Sequence, residues 1–414
     1  MKARVCVVTA GHLATCPRML KAADALATAG YRVRVVSTRH VAWATAADAH
    51  LTTSRRWAWS VVGYDEAADR GTYLRTGLRL RAAQLLVQAL GVHGSPMWLA
   101  IRAYSRTHPE LMGAALAEPA DFFYGGTTGA LAAVAAAGRH ARVPYALDLE
   151  DFHSAEQDES PAARVAHGVA ARSERDILPG AAFLTAGSAA IAAAYADTYG
   201  VHPIPVHNTF PLPAHAPDVT ATHGDGLRLC WFSQTIGPRR GLEDVVRAMG
   251  AAAIPGELHL RGRPIPEYLQ SLQALAAGAA PRLSIVTHAP CVPDTLVDHC
   301  RGYDVGLAVE PGFSRNNQLA LSNKAFTYML AGLAVALTDT PGQRPLAADL
   351  GAGALSYTPG EVHALAQGLR RWADDKRLLA RAKSAAWEAA KRRWHWEHPE
   401  ERGALLRAVA GVVG

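Results

Sequence analysis

The residues in this chain best suited to chemistry are cations placed where helices should begin. In "LSNKAFTYMLAG", Ser322 and Asn323 stand where a helix cap belongs, and Lys324 follows in the first turn. Free amides at a helix N-terminus attract anions, and a lysine beside them adds a full charge. A second mouth of this kind lies in "WFSQTIGPRRGLED". There a strand is expected to end at Phe232, Arg239 and Arg240 ride a loop opened by Gly237, and Gly241 lets the backbone approach closely before the next helix. Two cationic mouths in one αβ array suit a diphosphate held between them, although Lys324 alone also reads as a solvated lysine. A third group is acidic. "DLEDFHSAE" gathers Asp148, Glu150, Asp151, His153 and Glu156 within nine positions. Such a cluster can bind metal or manage protons, and it can equally cap a helix and leave a histidine at the surface.

The elements that must position these groups alternate along the chain. "RVCVVTA" reads as a strand covered on both faces; Pro17 fits the first turn of a helix that Gly30 ends, and "RVRVVS" completes a βαβ unit with a parallel sheet. Its turn, "TAGHLATCPR", lacks the GxGxxG dinucleotide fingerprint. "ADFFYGG", "VPYALDLED" and "AAFLTAGS" continue the array, and "PIPVHNTFPLPAHAPD" reads as a linker. Six more strands are expected beyond it: "LRLCWFS", "ELHLRG", "RLSIVTH", "DVGLAVE", "LAVALTD" and "AGALSY". Two successive arrays predict an α/β protein of two doubly wound domains whose strand ends face a shared cleft.

Composition narrows the class. The chain has 414 residues, 50% hydrophobic and 19% charged, which gives ample core for two domains. A net charge of +6 suits an anionic ligand or membrane surface and is far from a histone-like balance. The five cysteines (Cys6, Cys16, Cys230, Cys291, Cys300) form no CxxC pair, which argues for reduced thiols and against a zinc ribbon. The first apolar run is too short for a signal sequence, and no window approaches the roughly 18 apolar residues of a membrane span. A cytoplasmic protein is expected, with peripheral contact at the inner membrane face left open. In "YLRTGLRLRAAQLLVQAL", Leu74, Leu78, Ala82, Leu85, Leu86 and Ala89 share one helical face, with Arg75 and Arg79 off it. That face reads either as docked on its own domain or as touching anionic lipid. The basic, aromatic stretch "AKRRWHWEHPEERGALLRAVAGVV" lies in no nucleic-acid-binding motif and reads as a solvated helix with core tryptophans. Internal repeats are absent.

Taken in order, "DLEDFHSAE", "VHNTFPL", "WFSQTIGPRRGLEDVVRAM", "YDVGLAVEP" and "LSNKAFTYMLAGLAVALTDTPGQR" resemble the blocks of family 4 glycosyltransferases. That resemblance implies the GT-B fold, two Rossmann-like domains facing a cleft. Residues 1–212 would form the acceptor domain, a C-terminal helix at about 396–414 would pack back on it, and residues 213–395 would form the nucleotide-sugar donor domain. It implies transfer of a sugar from a nucleotide-sugar to an acceptor hydroxyl with retention, and neither an obligatory metal nor a cofactor. The acceptor would be a sugar, a lipid-linked glycan or a small molecule, with no nucleic acid as partner.

The same resemblance assigns roles. His153, Asp151, Arg240 and Lys324 would act at the reacting centre. Arg240 fills the second basic position of the diphosphate loop, whose first is held by Gln234, and Arg239 and Gly237 belong to that loop. Gly11 and His12 would approach the donor phosphates, and Ser322 and Asn323 form the mouth around Lys324. Base contacts would come from "THAPCVPD", which includes His288, and Asn208 marks the hinge. Glu310 stands for the first carboxylate of the family's glutamate pair. The second position holds Thr327, so Glu310 or Asn316 and Asn317 would have to complete the contacts to the donor ribose. A catalytically impaired GT-B protein supporting a partner enzyme, and a GT-B-shaped epimerase or phosphorylase, remain open.

Overall fold

The computed structural model of the chain describes residues 2–222, 224 and 226–414. It divides into two compact units: Met1–Val206 with Ser314–Asn316 and Pro399–Gly414, and His207–Phe313 with Asn317–His398.

In the first unit, β1 (Arg4–Thr9), β2 (Arg32–Arg39), β3 (Ala58–Gly63), β4 (Phe122–Gly126), β5 (Tyr145–Leu149), β6 (Leu184–Ala186) and β7 (Ile204–Pro205) form one parallel sheet in the order β3-β2-β1-β4-β5-β6-β7. Between them run α1 (Pro17–Thr28), α2 (Ala42–Thr52), α3 (Arg70–Leu90), α4 (Met97–Tyr104), α5 (His108–Leu116), α6 (Leu131–Ala141), α7 (Pro161–Ile177) and α8 (Ala189–Tyr199). β3 and β7 are absent from the strands expected above. β3 lies in an unread Trp-rich stretch, and β7 occupies the start of the proline-rich segment taken for a linker.

The second unit orders β8 (Leu227–Ile236), β9 (Gly256–Pro264), β10 (Leu283–His288), β11 (Val305–Ala308), β12 (Ala334–Thr338) and β13 (Ala354–Tyr357) as β10-β9-β8-β11-β12-β13, again all parallel. Its helices are α9 (Leu242–Ala252), α10 (Pro266–Ala279), α11 (Leu296–His299), the short α12 (Arg315–Leu319) in the segment shared with the first unit, α13 (Asn323–Leu330), α14 (Arg344–Leu350), α15 (Val362–Asp374) and α16 (Lys376–Arg392). The final helix, α17 (Arg402–Val413), packs on α1 in the first unit. β8 does not stop at Phe232. It passes a register irregularity between Phe232 and Thr235 and runs on to Ile236.

Both sheets are sandwiched by helices, so β4, β5, β11 and β12 are buried throughout and are built mostly from aliphatic, aromatic and small residues, with Asp148 of β5 a buried carboxylate among them. Each fully buried large apolar side chain contributes about 1.5–3 kcal/mol. One contact fixes the geometry that matters below. A Cβ on Gly306 of β11 would sit 2.0 Å from the Tyr328 ring, so only glycine lets α13 lie this close to the strand. The Tyr328 hydroxyl then donates to the Leu307 carbonyl at 3.2 Å. This packing brings the first turn of α13 to the end of β11. Among the described residues, no helix is long and apolar enough to cross a membrane.

Candidate active site

In an open parallel sheet, ligands bind beyond the carboxyl ends of strands where the strand order reverses. Each unit has such a point, between β8 and β11 in one and between β1 and β4 in the other.

In the second unit, Glu310 follows β11 and Lys324 begins α13. They meet. Lys324 Nζ donates to Glu310 Oε1 at 2.5 Å, and Ser322 Oγ donates to the same oxygen at 3.0 Å. Burial pushes the Glu310 carboxyl upward, but the Lys324 charge and its hydrogen bond outweigh this and hold it below the ordinary carboxylate value. Lys324 is therefore a buried ion-pair partner, which corrects the reading of it as a solvated lysine. Ser322 takes the N-cap position but gives its hydroxyl to Glu310, leaving the α13 amides without a side-chain cap. Glu310 Oε2 is closed off from solvent and has no hydrogen-bond partner among the described residues, and neither does the indole nitrogen of Trp231, whose ring lies 5.8 Å from Lys324 Nζ. Buried polar atoms are normally satisfied, so this unmet acceptor and donor make the strand end a candidate place for a polar ligand.

The arginine loop reaches the same strand end. Gly241, the N-cap of α9, has φ +75°, and a Cβ there would stand 1.9 Å from the Val309 carbonyl. Glycine is thus required both for the left-handed turn and for the approach to the residue preceding Glu310. Arg239 is also left-handed (φ +62°), with its guanidinium 5.4 Å from the Phe313 ring centroid. Arg240 is half-buried and helps hold down the pKa of the Tyr268 hydroxyl, which burial raises. Gly237 is buried, while Gln234 is exposed on the outer part of β8.

Four expected contacts go elsewhere. Thr327 is fully buried, and its hydroxyl turns back to the Asn323 carbonyl at 3.4 Å, so it faces its own helix. Asn317 Oδ1 accepts from the Gly312 amide at 2.6 Å. Asn316 belongs to the first unit, where its side chain bonds Asp151 Oδ1 at 2.9 Å and the Phe152 amide at 2.7 Å. His288 ends the edge strand β10 and stacks on His259, with a ring-nitrogen contact of 2.9 Å. Burial and neighbouring cations lower its pKa.

In the first unit, His12 is buried and fully engaged. Its Nδ1 contacts Asp48 at 2.8 Å, and its Nε2 accepts from the backbone amides of His40 and Val41 at 3.0 and 3.1 Å. The imidazole thus anchors the β1–α1 turn and has no nitrogen left for a phosphate. Of the expected pair in that turn, only the half-buried Gly11 stays near the surface. Asp148 is held by Arg18 Nε and Nη2 at 2.7 and 2.5 Å and by Thr185 Oγ1 at 2.6 Å. Past β5, Glu150 is pushed up to about 7 by burial, with Asp151 and Asp148 adding to this, and burial and Arg18 push Lys21 down to about 7.

His153 is the centre of this group and is buried, not at the surface. Its Nδ1 contacts Glu156 and lies 3.1 Å from Thr128 Oγ1. Burial would lower the imidazole pKa, but the Glu156 hydrogen bond and charge, with Glu174 and Asp151 behind them, raise it to about 9. Its Nε2 has no hydrogen-bond partner among the described residues. A cavity of about 390 Å³ is lined here by Tyr104, Thr128, His153, Glu156 and His167. Sequence reasoning assigned no role to Thr128 or Tyr104. The signal for Thr128 is the "GGTTG" turn after β4, where Thr127 takes φ +75°. Tyr104 lies at the end of a helix 24 residues earlier and carries no local signal. Among the described residues, no three His, Cys, Asp or Glu side chains converge as a metal site, so the acidic cluster does not form one.

No family profile and no curated protein sequence matches the chain. Solved structures do. The Anabaena protein Alr3699/HepE, solved with UDP and glucose, is similar over 99% of this chain and 98% of its own at 16% identity and a TM-score of 0.61. Sucrose-phosphate synthase from Thermosynechococcus elongatus is similar over 99% and 100% at 15% identity and 0.66. A glycosyltransferase from Rickettsia africae is similar over 100% and 98% at 9% identity and 0.64. The fold is GT-B, two Rossmann-like parallel-sheet units.

Proposed function

We propose that the protein is a glycosyltransferase that moves a sugar from a nucleotide-sugar to an acceptor hydroxyl, with retention at the anomeric carbon. The observation that carries this reading is the Glu310–Lys324 pair, with its unmet Oε2, at the strand end that Gly241 brings against the Arg239–Arg240 loop. In this reading Arg240, Lys324 and the uncapped α13 amides hold the donor diphosphate and stabilise the charge that develops as it leaves. Glu310 Oε2 and the Trp231 indole complete the contacts to the donor. The UDP in the HepE structure supports a nucleoside diphosphate as the ligand class. No resident metal or cofactor is needed in this scheme.

His153 would donate from Nε2 to an oxygen of the transferred sugar, with Glu156 and Thr128 fixing the ring. A diphosphate oxygen would take the acceptor proton as the new bond forms on the face the leaving group vacates. Asp151, oriented by Asn316, would shape the electrostatics around His153. The acceptor is a sugar, a lipid-linked glycan or a small hydroxyl compound.

A nucleotide-sugar binder without turnover is the second reading, favoured by Gln234 at a basic position and by the inward-facing Thr327. A thermal-shift panel of nucleoside diphosphates and nucleotide sugars tests the site, because a ligand at 100 times its Kd stabilises by about 2.7 kcal/mol. Donor hydrolysis without acceptor then separates the readings. A shift with hydrolysis supports transfer, a shift alone supports the silent binder, and no shift by any nucleotide overturns both.

A further inference from the structure

We infer that the outer face of α3 docks the protein on an anionic lipid surface. The helix packs the opposite way from an ordinary amphipathic helix. Thr76, Ala83 and Val87 are buried, the last two in a cluster with Leu99, Ala100 and Ala103 of α4. The leucine face is left outside, with Leu74 51%, Leu78 67% and Leu85 66% exposed. The helix does dock on its own domain, as one of the two sequence readings has it, but through Thr76, Ala83 and Val87 and not through the leucine face.

The charges around this face select the partner. At about 100° per residue, Leu74, Leu78, Ala82, Leu85 and Ala89 span an arc of roughly 80°. Arg70 and Arg81 border the arc on one side, Arg75 and Arg79 on the other, and α3 contains no Asp or Glu. Arg79 is tied to Glu110 at 2.5 Å, while Arg75 is exposed and meets Glu110 only at 3.4 Å. An apolar strip between arginine rows is the composition of a helix lying in a lipid headgroup layer. A second copy fits worse, because a twofold contact would set arginine rows against each other. An aqueous surface rarely keeps so continuous an apolar strip uncovered.

The inner side of α3 contributes Gln84, Val87 and Gln88 to the cavity that holds His153. On the transfer reading, a membrane on the outer face lies one helix, about 10 Å, from that cavity, which suits a membrane-anchored acceptor. The docking itself does not depend on that reading.

The test is vesicle flotation of the full chain, which needs no turnover. Vesicles of phosphatidylcholine alone are compared with an equal mixture of phosphatidylcholine and phosphatidylglycerol. The protein should float with the anionic vesicles at low salt and be released at high salt. The exposed double variant Leu78→Ser/Leu85→Ser should bind on the order of tenfold less, with unchanged circular dichroism and melting. Arg75→Gln/Arg81→Gln should lose roughly fivefold per arginine. No flotation with either vesicle, or undiminished flotation of the leucine variant, overturns the inference. So does a wild-type dimer in light scattering that the leucine variant converts to monomer without vesicle binding.

Discussion

The two units share a strand order around their first strands, β3-β2-β1-β4 and β10-β9-β8-β11, yet hold their buried ion pairs differently. In the first unit, Arg18 spends three nitrogens on Asp148 and on the Val206 carbonyl, and Thr185 takes part of what remains of the carboxylate. In the second, the buried pair beyond β11 is Lys324 and Glu310, and one carboxylate oxygen is left without a partner among the described residues. A bidentate arginine satisfies both oxygens of a carboxylate, whereas a lysine is a point charge that leaves the second oxygen unpartnered. The first pair is thus suited to holding strands and turns in place around His153. The second is suited to meeting a ligand.

The sharpest way to break this contrast is to remove the charge that should be purely structural. Arg18→Met leaves Asp148 buried without its cation, and loss of one partner of a buried pair costs about 3–5 kcal/mol. Urea unfolding of the full chain should show a loss of this size, largely restored by adding Asp148→Leu. A loss below about 1 kcal/mol, in the range of exposed pairs, would remove the distinction between the units.

In the second unit the expected effect moves from folding to binding. Lys324→Ala and Arg240→Ala should each weaken nucleoside diphosphate binding in calorimetry by about 1.5–3 kcal/mol, the range for a charged hydrogen bond. Glu310→Gln, which keeps the shape and removes the charge, should free Lys324 and weaken binding less than either. Unchanged affinity in both cation variants would leave Glu310–Lys324 as a second structural pair.

How much of this was legible in the sequence follows from the range of the signals. All six strands of the second unit are visible as short apolar runs, and Lys324 in the first turn of α13 follows from Ser-Asn-Lys before an apolar helix. The partner of Lys324 is 14 positions away and is reached only because Gly306 lets α13 settle on β11, a tertiary contact with no local pattern. β7 is two residues long and contains proline, so it lacks strand periodicity. His12 was expected at the donor phosphates from the resemblance of its turn to the family's loop. Its role depends on Asp48 and on the amides of His40 and Val41, which only the fold brings together. The leucine stripe of α3 was visible as a stripe, but periodicity alone does not say which face turns inward.

A smaller change should separate catalysis from binding. His153→Ala and Asp151→Asn should each lower turnover while leaving nucleoside diphosphate affinity within about twofold, roughly 0.4 kcal/mol at RT ≈ 0.59 kcal/mol. The raised pKa of His153 gives this a pH signature. Burial opposes the charged imidazole, but Glu156 and its acidic neighbours raise the value from 6.5 to about 9. The stabilisation is therefore fully present below about pH 6.5 and is lost as pH rises through about 9. Wild-type melting should fall across that interval, and His153→Ala should flatten this part of the profile. An identical alkaline profile in wild type and variant would place the titration elsewhere.

The smallest expected effect is at Thr327, and it decides whether the second unit uses α13 beyond its first turn. The side chain is closed to solvent, and its hydroxyl lies 3.4 Å from the Asn323 carbonyl, a long bond within its own helix. Thr327→Val keeps the branched shape, removes that weak bond and adds a buried methyl. The two terms oppose each other, so stability should change by less than about 1 kcal/mol. Binding should not change, because the hydroxyl faces a carbonyl of the helix and the ligand contacts come from Lys324, Glu310 and the arginine loop. Calorimetry with the same nucleoside diphosphate and its sugar conjugate checks this directly. If Thr327→Val costs the sugar conjugate about 1 kcal/mol or more while melting is unchanged, the hydroxyl reaches the ligand. The site would then extend one helical turn deeper than the Glu310–Lys324 pair, and the open carboxylate oxygen would no longer be the feature that sets the two units apart.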